Sequence, residues 1–403
     1  MSVPAASPPH AAHAGAGTHT LEEGPRIDLA GLRADRRVRL LATMEAEDLD
    51  VVLLGRPGNV RFASGARQLW TAGARSFAPS CVVVRETGGV HLLSVWDEGV
   101  PADIDRSHLF GISWNPGSLA ASLRRIPGLE GCRRAGTDSL NPLFRSLLAD
   151  VAPRATFVDA AGPLERCRRQ KSPEEVACIA TAASIAESLL ACLVEAVRPG
   201  VTERELVGRY AEQLANLGVP TPPTEAVCTA TARRGPVTFR QLSLARPIGP
   251  DELVVLSPGA LYAGYEAALA RTTLASGDPS PAHVHLATRA RSGLEALVGS
   301  CRPGARGIDL LGAWQAATAA PLPSVPLVHG LGLGAEPPVV GAGLGEGAVL
   351  EAGMVLSVQS WSAAEGTGGV LLRDTVLVGT DGPVRLTRFP TLPVRPGSSE
   401  AAP

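Results

Sequence analysis

The sequence predicts two domains of different architecture, an α/β domain in the N-terminal half and an α+β domain with a curved antiparallel sheet in the C-terminal half. Two observations lead to this prediction. In the first half, short β-branched runs alternate with segments whose apolar residues recur at helical spacing. In the second half, a pattern of helix, Arg-Pro-Gly turn and helix occurs twice, with strand candidates between the two copies.

The N-terminal half contains helix and strand patterns in alternation. The predicted elements are, in order, a helix, a buried strand, a hairpin around a Gly-Gly turn, two helices and a closing strand, at 30–48, Val51–Gly55, Ser80–Trp96, 117–126, 140–150 and Ala155–Ala160. Because strands and helices alternate, we expect an α/β domain with a mixed sheet.

The C-terminal half opens with a strong helix start. Ser172 is a suitable N-cap, Pro173 follows at the first helical position, and two acids occupy the first turn. The long helix should end at the Arg-Pro-Gly of residues 198–200, and a second helix is predicted over Val201–Gly218 with a Thr N-cap. The segment Ser292–Ala317 repeats this plan, which indicates an internal pseudo-repeat within one domain.

Strand patterns lie between and after these helical pairs. Asp251–Leu274 is predicted to form two strands joined by a short turn, and Met354–Trp361 and Gly368–Pro383 two more. The last of these ends in a Thr-Asp-Gly turn. The second domain is therefore predicted to be α+β, with helices on one side of an antiparallel sheet.

Charge and composition narrow the function classes. Hydrophobic residues make up 45% of the 403-residue chain and charged residues 19%, which is enough apolar material for two cores. Because the formal net charge is −2, no basic excess is present to neutralise a phosphate backbone, and we expect no nucleic-acid partner. The seven cysteines are odd in number and form no C-x-x-C pair, which favours reduced thiols over disulfides or a zinc site.

We expect a cytoplasmic protein without a membrane partner. The first 25 residues are rich in Ala, Pro, Gly and His and have no basic segment before an apolar stretch, so a secretory signal is not indicated. No apolar run approaches the ~18 residues that would span a bilayer. By composition, residues 1–28 and 394–403 are predicted to be disordered tails.

Five segments, in their order along the chain, resemble the creatinase/prolidase/aminopeptidase P family, which is peptidase family M24. They are RRQKSPEEVACI, ELVVLSPGALYAGY, VHGLGLGAEPP, LEAGMVLSVQSW and GGVLLRDTVLV. The resemblance covers residues 33–390. It implies a creatinase-type N-terminal domain over 29–165, followed by a C-terminal pita-bread fold over 166–393.

The peptidases that this sequence resembles bind two divalent metals through two Asp, one His and two Glu, and a water between the metals becomes hydroxide near neutral pH. In this sequence the five ligand positions fall, in order, on Ser257, Ala268, His329, Gln359 and Arg373. The family's assisting His falls on Ala335, and the stretch 233–248, where a further family His lies, contains none. One of the five ligand positions therefore matches, and we expect neither a metal nor another cofactor.

The altered positions predict a site for an anion. The peptidase set carries four negative charges, whereas this set carries one positive charge when His329 is neutral. Arg373 is expected to hold a carboxylate or phosphate bidentately, because a guanidinium presents paired donors, and Ser257 and Gln359 are expected to add hydrogen bonds. The structural alternatives are that His329 only satisfies backbone groups and that Arg373 only pairs with a nearby acid such as Asp374.

Four charged residues near these positions in sequence are expected to line the rim of the site or to pair with the arginines: Glu266, Arg271, Glu336 and Asp374. The first three are also expected to contact the ligand. Family members often form dimers in which the N-terminal domain of one chain approaches the cleft of the other. By resemblance we therefore expect a homodimer, with the segment Arg61–Trp70 as the part that would reach the partner's pocket.

Three functional hypotheses follow. The first is a metal-independent, creatinase-like hydrolase or lyase that acts on a small anionic metabolite, with His329 as general acid or base and Arg373 as anchor. The second is a non-catalytic pseudopeptidase that serves as a binding or scaffold protein. The third is an Xaa-Pro aminopeptidase or prolidase-type metallohydrolase with an unusual site.

Overall fold

The computed structural model describes residues 27–66, 80–93, 99–110, 115–139, 141–219, 222, 226–231 and 237–390. The chain divides into two compact units, Met1–Arg168 and Arg169–Pro403. Apart from residues 27 and 28 the predicted N-terminal tail lies outside the described residues, and so do the predicted C-terminal tail, residues 67–70 and the 94–96 end of the predicted hairpin.

The N-terminal unit contains one six-stranded mixed sheet. Its strands are β1 Val51–Leu54, β2 Cys81–Val84, β3 Gly89–Leu93, β4 Leu109–Phe110, β5 Arg134–Thr137 and β6 Thr156–Asp159. Their order is β4-β3-β2-β1-β5-β6. The β1–β2 and β2–β3 pairs are antiparallel and the other three pairs are parallel. The predicted α/β domain with a mixed sheet is confirmed.

Five helices lie in the described part of this half of the chain: α1 Leu29–Ala46, α2 Pro57–Ser64, α3 Pro116–Leu123, α4 Pro142–Val151 and α5 Ala161–Arg169. In α3 and α4 an asparagine N-cap precedes a proline at the first helical position, and its side-chain oxygen accepts a backbone N–H of the first turn. Leu119, Leu123 and Leu148 of these helices pack against Val51 and Leu53 of the central strand in one buried cluster. Local capping and burial therefore favour the same helix positions.

Among its described residues the C-terminal unit has four long helices, α6 Pro173–Ala196, α7 Glu203–Asn216, α8 Pro281–Ser300 and α9 Gly307–Thr318. α6 and α7 both begin with a capping box, in which Ser172 pairs with Glu175 and Thr202 pairs with Glu205. An Arg-Pro-Gly turn follows both α6 and α8. The predicted N-caps and the repeated pair of helices are confirmed.

Helix α6 differs from expectation in one respect. It is long and apolar enough, by composition, to cross a membrane, although the sequence analysis predicts no such run. Half of its most apolar 18-residue window is buried inside the unit. The strands Gly259–Tyr262 and Tyr265–Ala268 pack against it, as strands pack against a core helix.

The strands of this unit form three sheets. β7 Val227–Ala230, β8 Leu253–Ser257 and β11 Arg271–Leu274 make one in the order β11-β8-β7, and β9 Gly259–Tyr262 pairs with β10 Tyr265–Ala268. The third has the order β13-β12-β14-β15-β16 and consists of β12 Val328–Gly332, β13 Gly334–Val340, β14 Val355–Ala364, β15 Gly368–Gly379 and β16 Gly382–Arg385.

The region Asp251–Leu274 contains four strands where the sequence predicted two. Pro258 separates β8 from β9, because proline has no N–H to donate to a ladder. Ala263 and Gly264, both with positive φ, make the tight turn between β9 and β10. Breaks between strands within a short apolar run are not visible in the hydrophobic periodicity of the sequence.

Strands β14 and β15 have two chemically different faces. Leu356 and Val358 of β14 join a large core with Trp314 and Leu294 of the helices, and Trp314 Nε1 donates a hydrogen bond of 2.9 Å to Ser360 Oγ. Side chains alternate along a strand, so Ser357, Gln359 and Trp361 face the other way. That second face carries the candidate site.

Candidate functional site

Three strands bring Arg373, Gln359 and Ser257 into direct contact. The β14–β15 register pairs Gln359 with Arg373. The Gln359 Oε1 atom accepts from both Nε and Nη2 of Arg373, at 2.9 and 2.5 Å. The Ser257 Oγ atom, at the end of β8, accepts from Arg373 Nη1 at 3.2 Å. Three of the residues singled out in the sequence therefore form one cluster.

The two residues that hold Arg373 are themselves held in place. Gln359 Nε2 donates to the carbonyl oxygen of Pro326 at 2.5 Å, which directs its Oε1 toward the guanidinium. Ser257 donates its hydroxyl proton to the carbonyl oxygen of Leu269 at 2.9 Å, which leaves its lone pairs for Arg373. The arginine is therefore positioned before any ligand arrives.

Two N–H groups of the Arg373 guanidinium have no hydrogen-bond acceptor among the described residues. A guanidinium has five N–H groups, and Gln359 and Ser257 accept three of them, one from each nitrogen. One N–H on each terminal nitrogen has no acceptor among the described residues. These two N–H groups can donate to the oxygens of a carboxylate or phosphate.

His329 and Glu266 lie close enough to Arg373 for charge to couple them. His329 is on β12, opposite Ser357 of β14. Burial and the positive charge of Arg373 lower its pKa to about 4. Burial raises the pKa of Glu266, although Arg373 acts in the opposite direction. Burial lowers the pKa of Arg373 itself to about 10, so at neutral pH Arg373 is charged and His329 is neutral.

We expect His329 to make stability depend on pH. Between its folded pKa of about 4 and its ordinary value of 6.5 the unfolded chain binds a proton that the folded chain does not. The free energy of unfolding should therefore have its full His329 contribution above pH 6.5 and should fall by at most about 3 kcal/mol as the pH drops toward 4. Urea unfolding of wild type and His329→Gln across this range tests it. Equal pH dependence in the two proteins would contradict the prediction.

Ala268 occupies the second of the five positions. Its backbone is tied to β15, since its N–H donates to Thr375 Oγ1 at 3.0 Å and its carbonyl accepts from the same hydroxyl at 2.8 Å. Only a methyl group projects from it. The position therefore contributes no polar group to the cluster.

Arg271 has a structural role instead of the expected contact with the ligand. It pairs with Leu256 in the β8–β11 register, so its side chain lies on the face opposite that of Ser257. Its Nη2 atom donates to Asp374 Oδ1 at 2.7 Å, and its Nε to the carbonyl oxygen of Pro390 at 2.7 Å. The Arg271 residue is 2% exposed. It connects neighbouring strands to the last described residues of the chain through hydrogen bonds.

Glu336 likewise differs from the sequence expectation. One of its carboxylate oxygens accepts from Lys171 Nζ at 2.8 Å, and both side chains are almost fully buried. A Cβ added at Gly332 would lie 2.4 Å from the Glu336 carboxylate and 3.0 Å from Lys171, so this close contact requires glycine there. The pair anchors the β12–β13 hairpin, which carries His329, and is a support for the site rather than a contact surface.

Sequence reasoning missed two features on this face. Ser357 is fully buried, and its Oγ has no hydrogen-bond partner among the described residues. Phe239 packs edge-on against Trp361, with ring centroids 5.7 Å apart. The signal available in the sequence was the two-residue period of Ser357, Gln359 and Trp361 along one strand.

The geometry agrees with a comparison against known families. A model of metallopeptidase family M24 matches residues 177–380, which is half of the chain. The chain belongs to family M24. Its C-terminal unit is accordingly the pita-bread domain, as the sequence predicted.

Curated proteins and a solved structure are also similar to this chain. This M24 chain is 27% identical over 258 residues to an Xaa-Pro dipeptidase of Lactobacillus helveticus, covering 61% of this chain and 67% of that one. It is 25% identical to the creatinase of Bacillus sp. (strain B-0618), covering 88% and 90%. The structure of a prolidase from Pyrococcus horikoshii OT3 superposes with a TM-score of 0.72 at 21% identity, covering 89% and 100%.

The residues of this M24 protein do not fit the pair of divalent metals that the family name implies. Hard and borderline divalent ions take carboxylate oxygens and imidazole nitrogens. At the five positions that resemble ligands only His329 is of this kind, and a guanidinium occupies the last. Across the part of the chain that the structure describes, no group of three or more His, Cys, Asp or Glu side chains could hold a metal ion.

Proposed function

We propose that this M24 protein is a metal-independent enzyme that acts on a small metabolite bearing a carboxylate. In this proposal Arg373 binds the carboxylate and His329 accepts a proton during the reaction. The observation that carries it is the pair of N–H groups, one on each terminal nitrogen of Arg373, left after Gln359 and Ser257 have accepted the other three.

Electrostatics disfavours a metal beside Arg373. A guanidinium whose pKa is about 10 keeps its charge at neutral pH. At ~4 Å and an effective dielectric of ~20, two like unit charges repel by about 4 kcal/mol, and a divalent ion doubles this. A unit negative charge at the same distance from Arg373 is attracted by the same energy with which a unit positive charge is repelled. The charge of Arg373 therefore favours a carboxylate ligand.

The state of His329 supports its role as a proton acceptor. With a pKa of about 4, its imidazole is neutral at pH 7 and has a nitrogen lone pair available. Part of that low pKa comes from the charge of Arg373. A bound carboxylate would offset this charge, so ligand binding should raise the pKa of His329 and make proton uptake easier.

A metallopeptidase is the second candidate, because curated relatives are Xaa-Pro dipeptidases. The two candidates differ in what they bind. The peptidase requires metal ions, whereas the proposed enzyme binds carboxylates in the presence of a chelator.

Calorimetric titration of the chelator-treated protein tests the proposal. A panel of small carboxylates would be run against the matched neutral amides, in two buffers of different ionisation enthalpy. Between pH 4 and 6.5, where His329 can titrate, we expect binding of at least one carboxylate, no binding of its amide, and proton uptake that is absent in His329→Gln. Binding that appears only after Mn²⁺, Co²⁺ or Zn²⁺ is added would overturn the proposal in favour of the metallopeptidase.

A further inference from the structure

The carboxylate of Glu266 has no hydrogen-bond or ion-pair partner among the described residues. The buried acids in the described part of the C-terminal unit are each bound by a Tyr, Arg or Lys side chain: Glu175 by Tyr265, Glu203 by Arg240, Glu336 by Lys171 and Asp374 by Arg271. Glu266 is partly buried. Because a carboxylate that is partly removed from water is stabilised by a donor or a cation, its unpaired state indicates a place for a group of the ligand.

Strand β10 turns Glu266 toward the strands that carry the Arg373 cluster. Tyr265 of β10 points toward α6, because its hydroxyl donates to a glutamate of that helix. Side chains alternate along a strand, so Glu266 and Ala268 project to the opposite side. On that side the Thr375 hydroxyl bonds to the backbone of Ala268, and Thr375 shares its face of β15 with Arg373, two residues earlier. Glu266 therefore faces the side of β15 that carries the guanidinium.

Glu266 and Arg373 give the site one negative and one positive charge. Each charge acts on the other, but the two side chains do not form an ion pair with each other. Arg373 is held instead by the neutral side chains of Gln359 and Ser257. A monoanion bound at Arg373 would be repelled by an ionised Glu266, whereas a ligand with one negative and one positive group would complement both residues.

We infer that Glu266 binds an ammonium group of the same ligand whose carboxylate binds Arg373, so that the substrates of this site are amino acids and not plain carboxylates. This inference rests on the proposed function and names its substrate class. An ammonium group has three N–H donors and no acceptor, and it joins a carboxylate through charge-assisted hydrogen bonds. If Glu266 only balanced the charge of Arg373, the site would have no preference for an amine.

Matched pairs of ligands test this inference on the chelator-treated full chain, with dissociation constants measured by ligand-observed NMR at pH 7. Each pair has the same carbon chain with and without an amine: glycine and acetate, β-alanine and propionate, 4-aminobutyrate and butyrate. In wild type we expect at least one amino acid to bind about tenfold or more tightly than its alkanoate, since a hydrogen bond between charged groups contributes at least that much. The length of that amino acid reports the separation of the two charged side chains.

Glu266→Gln keeps the size of the side chain and removes its charge. It should lower the preference for the amino acid over its alkanoate by about tenfold or more, while affinity for the alkanoate stays the same or rises because a repelling charge is gone. Glu266→Asp keeps the charge, and its preference should lie between those of wild type and Glu266→Gln. Glu346→Gln is the matched control, at an exposed glutamate of the same unit, and should leave the preference unchanged. Circular dichroism and urea unfolding show that each variant is folded.

The outcomes separate this inference from the proposed function. If every alkanoate binds as tightly as its amino acid and binding still requires Arg373, the ammonium site is overturned while the anion site stands. A preference for the amino acid that a folded Glu266→Gln protein retains would also overturn the ammonium site. If none of these ligands binds, or if they bind equally well to a folded Arg373→Gln protein, both the inference and the proposed function are overturned.

Discussion

Replacing Arg373 by Gln should weaken binding of the best carboxylate by about 100-fold or more. Each charge-assisted hydrogen bond contributes ~1.5–3 kcal/mol, and two would be lost together with the positive charge. Because ~1.4 kcal/mol corresponds to a factor of ten, two such bonds account for a change of this size. Calorimetry on the purified variant measures it directly.

Two further variants serve as controls for this result. Arg373→Lys keeps the charge but loses the paired donors, so its affinity should fall between those of wild type and Arg373→Gln. Arg209→Gln removes an arginine that pairs with Glu212 on the surface, and its affinity should match wild type. If Arg373→Gln binds carboxylates as tightly as wild type while remaining folded, Arg373 is not the anchor.

Replacing Arg271 by Leu should lower the free energy of unfolding by about 3–5 kcal/mol, because removing one partner of a buried ion pair leaves the other charge uncompensated. Asp374 is 1% exposed and would retain only Thr387, at 3.0 Å, and Arg385, at 3.6 Å. The ties from Arg271 to the carbonyl oxygens of Phe389 and Pro390 would be lost as well. Urea unfolding measures the change.

The double variant Arg271→Leu/Asp374→Leu is the matched control. It removes both charges, so it should recover a large part of the lost stability. Carboxylate affinity of either variant, measured where the protein is folded, should stay within a few-fold of wild type. If the Arg271→Leu variant is folded and as stable as wild type but has lost carboxylate binding, Arg271 contacts the ligand and the structural role is wrong.

The helices and the outline of the site could be predicted from sequence because their signals are local. Ser172 and Thr202, each followed three residues later by Glu, mark capping boxes that form as expected. The contact of Ser257, Gln359 and Arg373 follows from the family resemblance, since each residue occupies a position that resembles a metal ligand. These residues meet only because the strands pair in one register. The resemblance implies that register, because it implies the fold.

The remaining features depend on contacts that sequence does not reveal. Arg271 and Arg373 are both arginines on strands of the same domain, yet strand pairing turns one toward Asp374 and the other toward Gln359 and Ser257. Glu336 pairs with Lys171, which lies 165 positions away, and no local pattern links them. The edge-on contact of Phe239 with Trp361 likewise joins residues that are far apart in the sequence.

Metal content distinguishes a carboxylate-binding site at Arg373 from a dinuclear metal site. Wild type and the variant Ser257→Asp/Ala268→Asp/Gln359→Glu/Arg373→Glu, which restores four carboxylates beside His329, would be equilibrated with Mn²⁺ or Zn²⁺, desalted and analysed by elemental mass spectrometry. We expect well under ~0.1 metal ion per chain in wild type and a clear gain in the folded variant, because carboxylates supply the ligands that such ions require. One or two ions per wild-type chain, lost in His329→Ala, would contradict the account and identify a metalloenzyme.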